Sequence, residues 1–94
     1  MIDFECCYHA ELKLKERRIS KTEVGEILTN PQNLFLDVDT GNLIAVGMRK
    51  SIKDHKLIIA YSSGERIKVV TVIDTSKMEI IKNREEKGRW IKIK

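Results

Sequence analysis

Cysteine, proline and aromatic residues are scarce in this 94-residue chain, and the scarcity of cysteine and proline excludes some classes of protein. The two cysteines, Cys6 and Cys7, are adjacent, which excludes a scaffold stapled by several disulfide bonds. Pro31 is the single proline, and no run of glycine, serine or proline divides the chain. We therefore expect one domain covering residues 1–94. The longest apolar run, residues 57–61, is far too short to cross a bilayer, so no membrane partner is expected.

Signals for export and for metal or cofactor binding are also missing. The first residues lack the basic stretch and apolar stretch of a secretory signal, so we expect a cytoplasmic protein with reduced, buried thiols. The sequence has no phosphate-binding glycine loop, nucleophile elbow or zinc-ligand spacing. Cys6, Cys7 and His9 are too close in sequence to form a metal site together. The sequence thus predicts neither a metal nor a cofactor.

Charge is distributed unevenly along the chain. Residues 1–47 contain 5 basic and 8 acidic residues, whereas residues 48–94 contain 13 basic and 6 acidic residues. Residues 77–94 alone contain 7 basic and 3 acidic residues. Together with a pI near 9.2, this asymmetry predicts a polyanionic partner, most often RNA or another nucleic acid. The alternative is a lysine-rich surface that only faces solvent.

Two helices are predicted in the N-terminal part of the chain. The four-residue spacing of Ala10 and Leu14 predicts a helix over 9–17, and Arg18 follows where a left-handed residue would end it. Ser20 and Glu23 form a capping-box pattern that begins a second helix. Pro31 ends that helix.

After the proline, the apolar pattern changes from helical to alternating. Strands are predicted at residues 34–38, 43–48, 56–61 and 66–74. Short turns between them indicate an antiparallel meander, and the last of the four is apolar on both faces. A second capping box at Ser76 predicts a short helix that ends at Gly88, and residues 89–94 alternate like a final strand. The predicted fold class is α+β, with two N-terminal helices packed on an antiparallel sheet of about four strands in two layers.

His9 is the first candidate for chemistry. As a general acid or base near neutral pH it would have Lys13 and Arg17 at four-residue steps on the same helix flank. Three potential cations in a row suit a phosphate. Alternatively, His9 only caps the helix. His55 lies in a polar connection and is expected to be exposed, becoming a second proton-transfer group only if folding places it near His9.

The other candidates are cations and one aromatic residue in the basic half. Arg49, Arg66 and Lys68 lie on strands or at strand ends, where they would either cradle phosphate or charge the sheet edge against aggregation. Trp90 stands between basic residues and would either stack on a nucleobase or close a small core. The predicted nucleic-acid contacts are Lys13, Arg49, Lys68, Arg84, Arg89 and Trp90.

Residues 9–20, HAELKLKERRIS, followed by Glu23 and Val24, resemble the opening motif of the family called domain of unknown function 4258. Members of that family show His-Ala, a basic residue, an apolar residue, Glu-Arg-Gly-Ile-Ser/Thr and then Glu-Val. Residues 57–61 and 69–73 are similar to the family's closing strands. Arg18 stands where the family usually has glycine, and Lys13 stands where arginine is frequent.

The resemblance implies a distant relation to the RelE/BrnT-like toxins, which are small sheet proteins that cleave RNA. Because the 2′-hydroxyl of RNA can itself displace the neighbouring phosphodiester, such a protein needs only a base, an acid and cations. On this hypothesis the chain is a metal-independent endoribonuclease with His9, Arg17 and Arg66 as catalytic residues and an acidic antitoxin as partner. The alternatives are a nucleic-acid-binding protein without catalysis, a protein covered by an acidic partner, and a homodimer joined through sheet edges.

Overall fold

The computed structural model describes residues 2–94 and contains three helices and six strands within that range. In chain order they are β1 (Phe4–Cys6), α1 (Tyr8–Glu16), α2 (Lys21–Thr29), β2 (Asn33–Asp37), β3 (Leu43–Met48), β4 (Lys56–Ser63), β5 (Ile67–Thr75), α3 (Glu79–Glu86) and β6 (Trp90–Lys92). The α+β class is confirmed, with more strands than predicted. None of the helices in the described range has the length and apolar composition that a membrane span requires.

The six strands form one mixed sheet in the order β1-β5-β4-β3-β2-β6. Strands β2 to β5 are antiparallel neighbours, as predicted, and β6 joins as the expected last strand beside β2. In contrast, β1 pairs parallel with β5, with Phe4 opposite Ile67 and Cys6 opposite Val69. The expectation of a purely antiparallel sheet is wrong because turn spacing reveals only strands that are consecutive in the chain.

Apolar side chains cover both faces of the sheet and form two cores. The first lies under α1 and α2 and consists of Ala10, Leu14, Ile19, Val24, Ile27, Leu28, Ala45, Leu57, Ile59, Tyr61, Val69 and Val72. The second lies under α3 and consists of Phe35, Ile44, Val46, Ile58, Ala60, Ile81 and Trp90. The predicted two layers are therefore three, since α3 packs Ile81 on the face opposite α1. Strand β5 contributes to both cores, which confirms that it is covered on both sides.

A β-bulge in β5 changes which of its residues share a face. Ala60 is opposite Thr71, but Tyr61 is opposite Val69, so the intervening Val70 is an extra residue in β5. Strict alternation would separate Val69 from Val72, yet both belong to the core under α1 and α2. The simple alternation of faces expected of a regular strand therefore does not hold along the whole of β5. Asp74 lies two residues after Val72 and shares its face.

The two predicted capping boxes have different outcomes. At α2 the Oγ atom of Ser20 accepts a hydrogen bond of 3.1 Å from the backbone N–H of Glu23, as predicted. The Glu23 carboxylate, however, accepts a hydrogen bond of 2.9 Å from Ser51 in the β3–β4 loop. At α3 the prediction is wrong, because the N-cap is Met78 and no side chain caps it. Ser76 therefore has the sequence of a cap without its hydrogen bond.

Positive φ angles occur at several turns, including the Arg18 position where a left-handed residue is expected. Gly41 has φ = 78° in the β2–β3 turn, and Gly88 has φ = 71° after α3. Arg18 has φ = 53° directly after α1, a conformation that costs a residue with a side chain more than glycine. The strained Arg18 reverses the chain so that α2 follows α1 closely.

Candidate functional site

Apart from Arg49, the sequence-predicted site residues lie in three separate parts of the structure. The groups are His9, Lys13 and Arg17 on and just after α1; Arg66 and Lys68 at the start of β5; and Arg84, Arg89 and Trp90 around α3 and β6. Strands β5 and β6 are four positions apart in the sheet, which corresponds to about 19 Å. The cations of the basic half therefore do not form one continuous surface.

Trp90 closes the core under α3. Its side chain is 5% exposed, its ring centroid is 5.7 Å from that of Phe35, and the Arg84 guanidinium lies 5.4 Å from the ring centroid. The structure thus favours the alternative interpretation, in which the tryptophan completes a small core. A ring that is buried in this way is not accessible for stacking on a nucleobase.

Acidic neighbours accompany several of the outlying cations. The Nε atom of Arg89 is 3.4 Å from a carboxylate oxygen of Asp39, and Nη1 of Arg66 is 4.0 Å from one of Glu5. Lys68 lies between Ile67 and Val69, which pack under α1, so alternation places Lys68 on the opposite face. These positions keep Arg66 and Lys68 away from the exposed flank of α1.

Arg49 is a buried structural residue, with a residue exposure of 3%. Its guanidinium donates hydrogen bonds to Asp74 at 2.7 Å and to the carbonyl oxygens of Arg17 and Arg18, both at 2.9 Å. Its Nε–H donates to Ser51 at 3.2 Å. Because these donors are engaged inside the protein, Arg49 is not available to a nucleic-acid phosphate. The predicted contact between Arg49 and nucleic acid is therefore not retained.

Asp74 connects this arginine to a histidine. One carboxylate oxygen accepts from Arg49, and the other is 2.9 Å from Nδ1 of His55. The Asp74 side chain is 7% exposed, whereas that of His55 is 33% exposed. Since a carboxylate only accepts, the contact favours the tautomer with the proton on Nδ1 and leaves Nε2 as an acceptor. No group within residues 2–94 hydrogen-bonds that Nε2 atom.

The same bonds gather three distant segments at one edge of the sheet: the end of α1, the β3–β4 loop and the end of β5. Residues 17–18, 49–56 and 74–77 together contain seven basic residues and two acidic residues, Asp54 and Asp74. Five of the basic residues are exposed, and we call them the cationic edge: Arg17, Arg18, Lys50, Lys53 and Lys77. Lys50 is 2.9 Å from Glu26, whose hydrogen bond and charge raise the pKa of the ammonium group.

His9 lies at the other end of α1. It is the second residue of the helix and is exposed, and no hydrogen bond or ion pair holds its side chain within the described residues. Asp74 and Arg49 link His55 to the carbonyl groups just beyond the last residue of α1. The rise of the helix separates these two positions by about 12 Å. Within the described residues, no hydrogen bond joins the two imidazoles, and the one contact of the His55 ring is with Asp74.

The adjacent cysteines lie beside the start of α1 and are free thiols. Both are half-buried, and Cys7 donates a hydrogen bond of 3.1 Å to the carbonyl of the bulged Val70. Burial raises the pKa of the Cys6 thiol, and the negative charge of Glu11 raises it further. A raised pKa lowers the thiolate fraction, so this cysteine is a poor nucleophile.

Sequence reasoning did not assign a role to Asp74 and did not pair Arg49 with it, yet one signal was present. Asp74 ends an otherwise apolar strand, and a carboxylate buried there requires a cationic partner. Arg49 directly follows β3, which β4 separates from β5 in the sheet, and it lies at the same end of the meander as Asp74. A search for opposite charges at strand ends on the same side of the meander would have paired Arg49 with Asp74.

Comparison with known proteins places this network in a family context. Residues 8–83 match the family described as a domain of unknown function (DUF4258). The chain belongs to the DUF4258 family. The matched range contains α1, Arg49, His55 and Asp74, whereas β1 and β6 lie outside it. No curated protein and no solved structure matches the chain.

Proposed function

We propose that this DUF4258 protein is an endoribonuclease that acts like the RelE/BrnT-like toxins and uses the 2′-hydroxyl of RNA as the nucleophile. The cationic edge is the observation that carries the proposal. Cations that lie at one edge can neutralise successive phosphates and release their counterions, which is the main source of affinity for a polyanion. His55, whose imidazole is partly exposed, lies beside these cations and supplies a side chain of the type that transfers protons in enzymes.

The proposed reaction is a transesterification at phosphorus. The 2′-hydroxyl loses its proton as its oxygen bonds to phosphorus, and the bond from phosphorus to the 5′-oxygen breaks. The departing 5′-oxygen gains a proton, so the products are a 2′,3′-cyclic phosphate and a 5′-hydroxyl. Negative charge accumulates on the phosphorane, and the guanidinium groups of Arg17 and Arg18 are suited to stabilise it. An acidic antitoxin-like protein would inhibit the reaction by covering the same cations.

The 2′-hydroxyl requirement is tested by incubating the purified chain with an RNA and with its all-deoxy counterpart. We expect cleavage of the RNA alone, with cyclic phosphate at the new 3′ ends. Cleavage of both strands at similar rates would contradict the mechanism. Salt-sensitive binding that leaves the RNA intact would replace the proposal with the non-catalytic alternative.

The role of the cationic edge is tested by neutralising two of its residues, Arg17→Gln with Lys53→Gln. The logarithm of the RNA association constant falls with the logarithm of salt concentration, by about 0.7 per phosphate contact for a single strand. The double variant should therefore reduce this slope by about 1.4. The control, Lys92→Gln with Lys94→Gln, makes the same change of charge in and after the outer strand β6. It should leave the slope unaltered. Equal effects of the two pairs would contradict the proposed location.

A further inference from the structure

His55, Asp74 and Arg49 form a chain of side chains that fixes one ring nitrogen and leaves the other free. We infer that His55 is the general base of the proposed RNA cleavage and that Asp74 is its positioning residue. The inference rests on the proposed function and assigns its reacting group to a different histidine from the one that the sequence indicated. The deciding observation is the 2.9 Å contact between Nδ1 of His55 and Asp74.

The carboxylate is suited to this role because it is itself held in place. Arg49 binds the second oxygen of Asp74 at 2.7 Å, and the carbonyl groups that follow α1 hold Arg49 in turn. A carboxylate whose second oxygen is held by another residue orients an imidazole and stabilises its protonated form. Buried aspartates act on catalytic histidines in this way in unrelated enzymes. His55 therefore pays little orientational entropy when it meets a substrate.

His9 lacks each of these features. Its ring is exposed on the first turn of α1, and within the described residues no carboxylate orients it. An unrestrained side chain has to be ordered in the transition state, which lowers the efficiency of proton transfer. The nearest cation at a helical step, Lys13, is 3.8 Å from Glu16.

In the inferred mechanism, Nε2 of His55 accepts the proton of the 2′-hydroxyl while the 2′-oxygen attacks phosphorus. The ring then carries two protons, and Asp74 compensates the new positive charge. The 5′-oxygen leaves from the side of phosphorus opposite the nucleophile, so a water molecule there supplies its proton. His55 returns to its starting form when it releases the extra proton from Nε2 to solvent.

The first test compares His55→Ala with His9→Ala in single-turnover cleavage of one RNA. We expect His55→Ala to reduce the cleavage rate at saturating protein by about 100-fold or more, the usual contribution of a general base. His9→Ala should change it less than twofold. If the wild-type chain cleaves but His9→Ala causes the larger loss, the inference is overturned and the proposed function remains. If the wild-type chain leaves RNA intact, the proposed function fails and the inference fails with it.

A second test separates a chemical role from a structural one. His55→Gly with free imidazole in the buffer should recover cleavage in proportion to imidazole concentration, whereas His9→Gly should show no such response. Urea unfolding of both variants checks that they are folded at the assay temperature. A folded His55→Gly variant that is inactive with and without imidazole would assign His55 to structure alone.

A third test distinguishes a base from an acid. An RNA whose 5′-oxygen at the scissile bond is replaced by sulfur has a leaving group that needs no proton. With His55 as the base, His55→Ala should remain about 100-fold slower than the wild-type chain on this substrate. Full recovery of the variant on the sulfur substrate would show that His55 is the acid and would overturn the assignment.

Discussion

The two ends of α1 carry similar residue types in opposite environments. At its N-terminal end, His9 lies on the helix surface, and its four-residue spacing from Lys13 is visible in the sequence. At its C-terminal end, Arg49, Asp74 and His55 come from distant parts of the chain and meet in a largely buried network. Helical spacing shows which residues share a flank, but the chemical environment of a side chain depends on residues far away in sequence. Within the described residues, only the second end holds an imidazole against a carboxylate.

The largest effect on stability is expected when the network at the C-terminal end of α1 is broken. Arg49→Met removes the partner of the buried Asp74 and the donor to two carbonyl groups. Breaking a buried ion pair typically costs about 3–5 kcal/mol, and urea denaturation should show a loss of that size. Arg66→Met, at an exposed pair, should change the free energy of unfolding by less than about 0.5 kcal/mol. Similar losses in both variants would erase the contrast between buried and exposed cations.

A smaller effect is expected at the cap that begins α2 directly after the strained turn. Ser20→Ala removes the hydrogen bond to the Glu23 amide and should lower the free energy of unfolding by about 1 kcal/mol. Ser76→Ala is the matched control, because Ser76 has the same sequence pattern but is not the N-cap of α3. Thermal or urea unfolding of both variants measures the difference. Comparable losses would mean that Ser76 caps its helix after all.

The smallest expected effect has opposite signs for stability and for RNA binding. Arg18→Gly relieves the positive φ angle while keeping the carbonyl that accepts from Arg49. The gain in unfolding free energy should be about 0.5 kcal/mol, since part of the relief is offset by the greater entropy of unfolded glycine. The same change removes one member of the cationic edge and should reduce the salt slope of RNA binding by about 0.7. Unfolding and binding titrations on one preparation test both; a loss of stability or an unchanged slope contradicts this account.

Much of the secondary structure could be predicted because its determinants are local. Ser20 and Glu23 are three residues apart, and Gly41 lies inside its own turn, so each signal is contained in a few residues. The same holds for the strand Leu43–Met48, whose predicted bounds are those of the structure. The local signal fails at Ser76, because the N-cap of α3 is Met78 instead.

Features that depend on distant parts of the chain could not be predicted in this way. The parallel pairing of Phe4 with Ile67 and the bulge at Val70 are properties of the assembled sheet. The position of α3 opposite α1 depends on the packing of Ile81 against strands β2 to β4. These long-range contacts also determine the candidate site.

The candidate site shows the same division between local and distant determinants. The row of His9, Lys13 and Arg17 was found by helical spacing, and the structure places all three on or directly after α1. The link between His55 and Asp74 spans 19 residues and depends on the register of β4 against β5. Residue type alone therefore indicated an imidazole near cations, whereas the fold decided which imidazole has an oriented ring.

The most direct measurement is a residue-by-residue NMR titration of the chain with a short oligonucleotide that lacks 2′-hydroxyls and so cannot be cleaved. We expect the amide shifts to change most in residues 17–18, 50–56 and 75–77, and the His55 ring signals to move with them. Shifts concentrated around residues 8–13 or 84–94, with His55 unmoved, would contradict it.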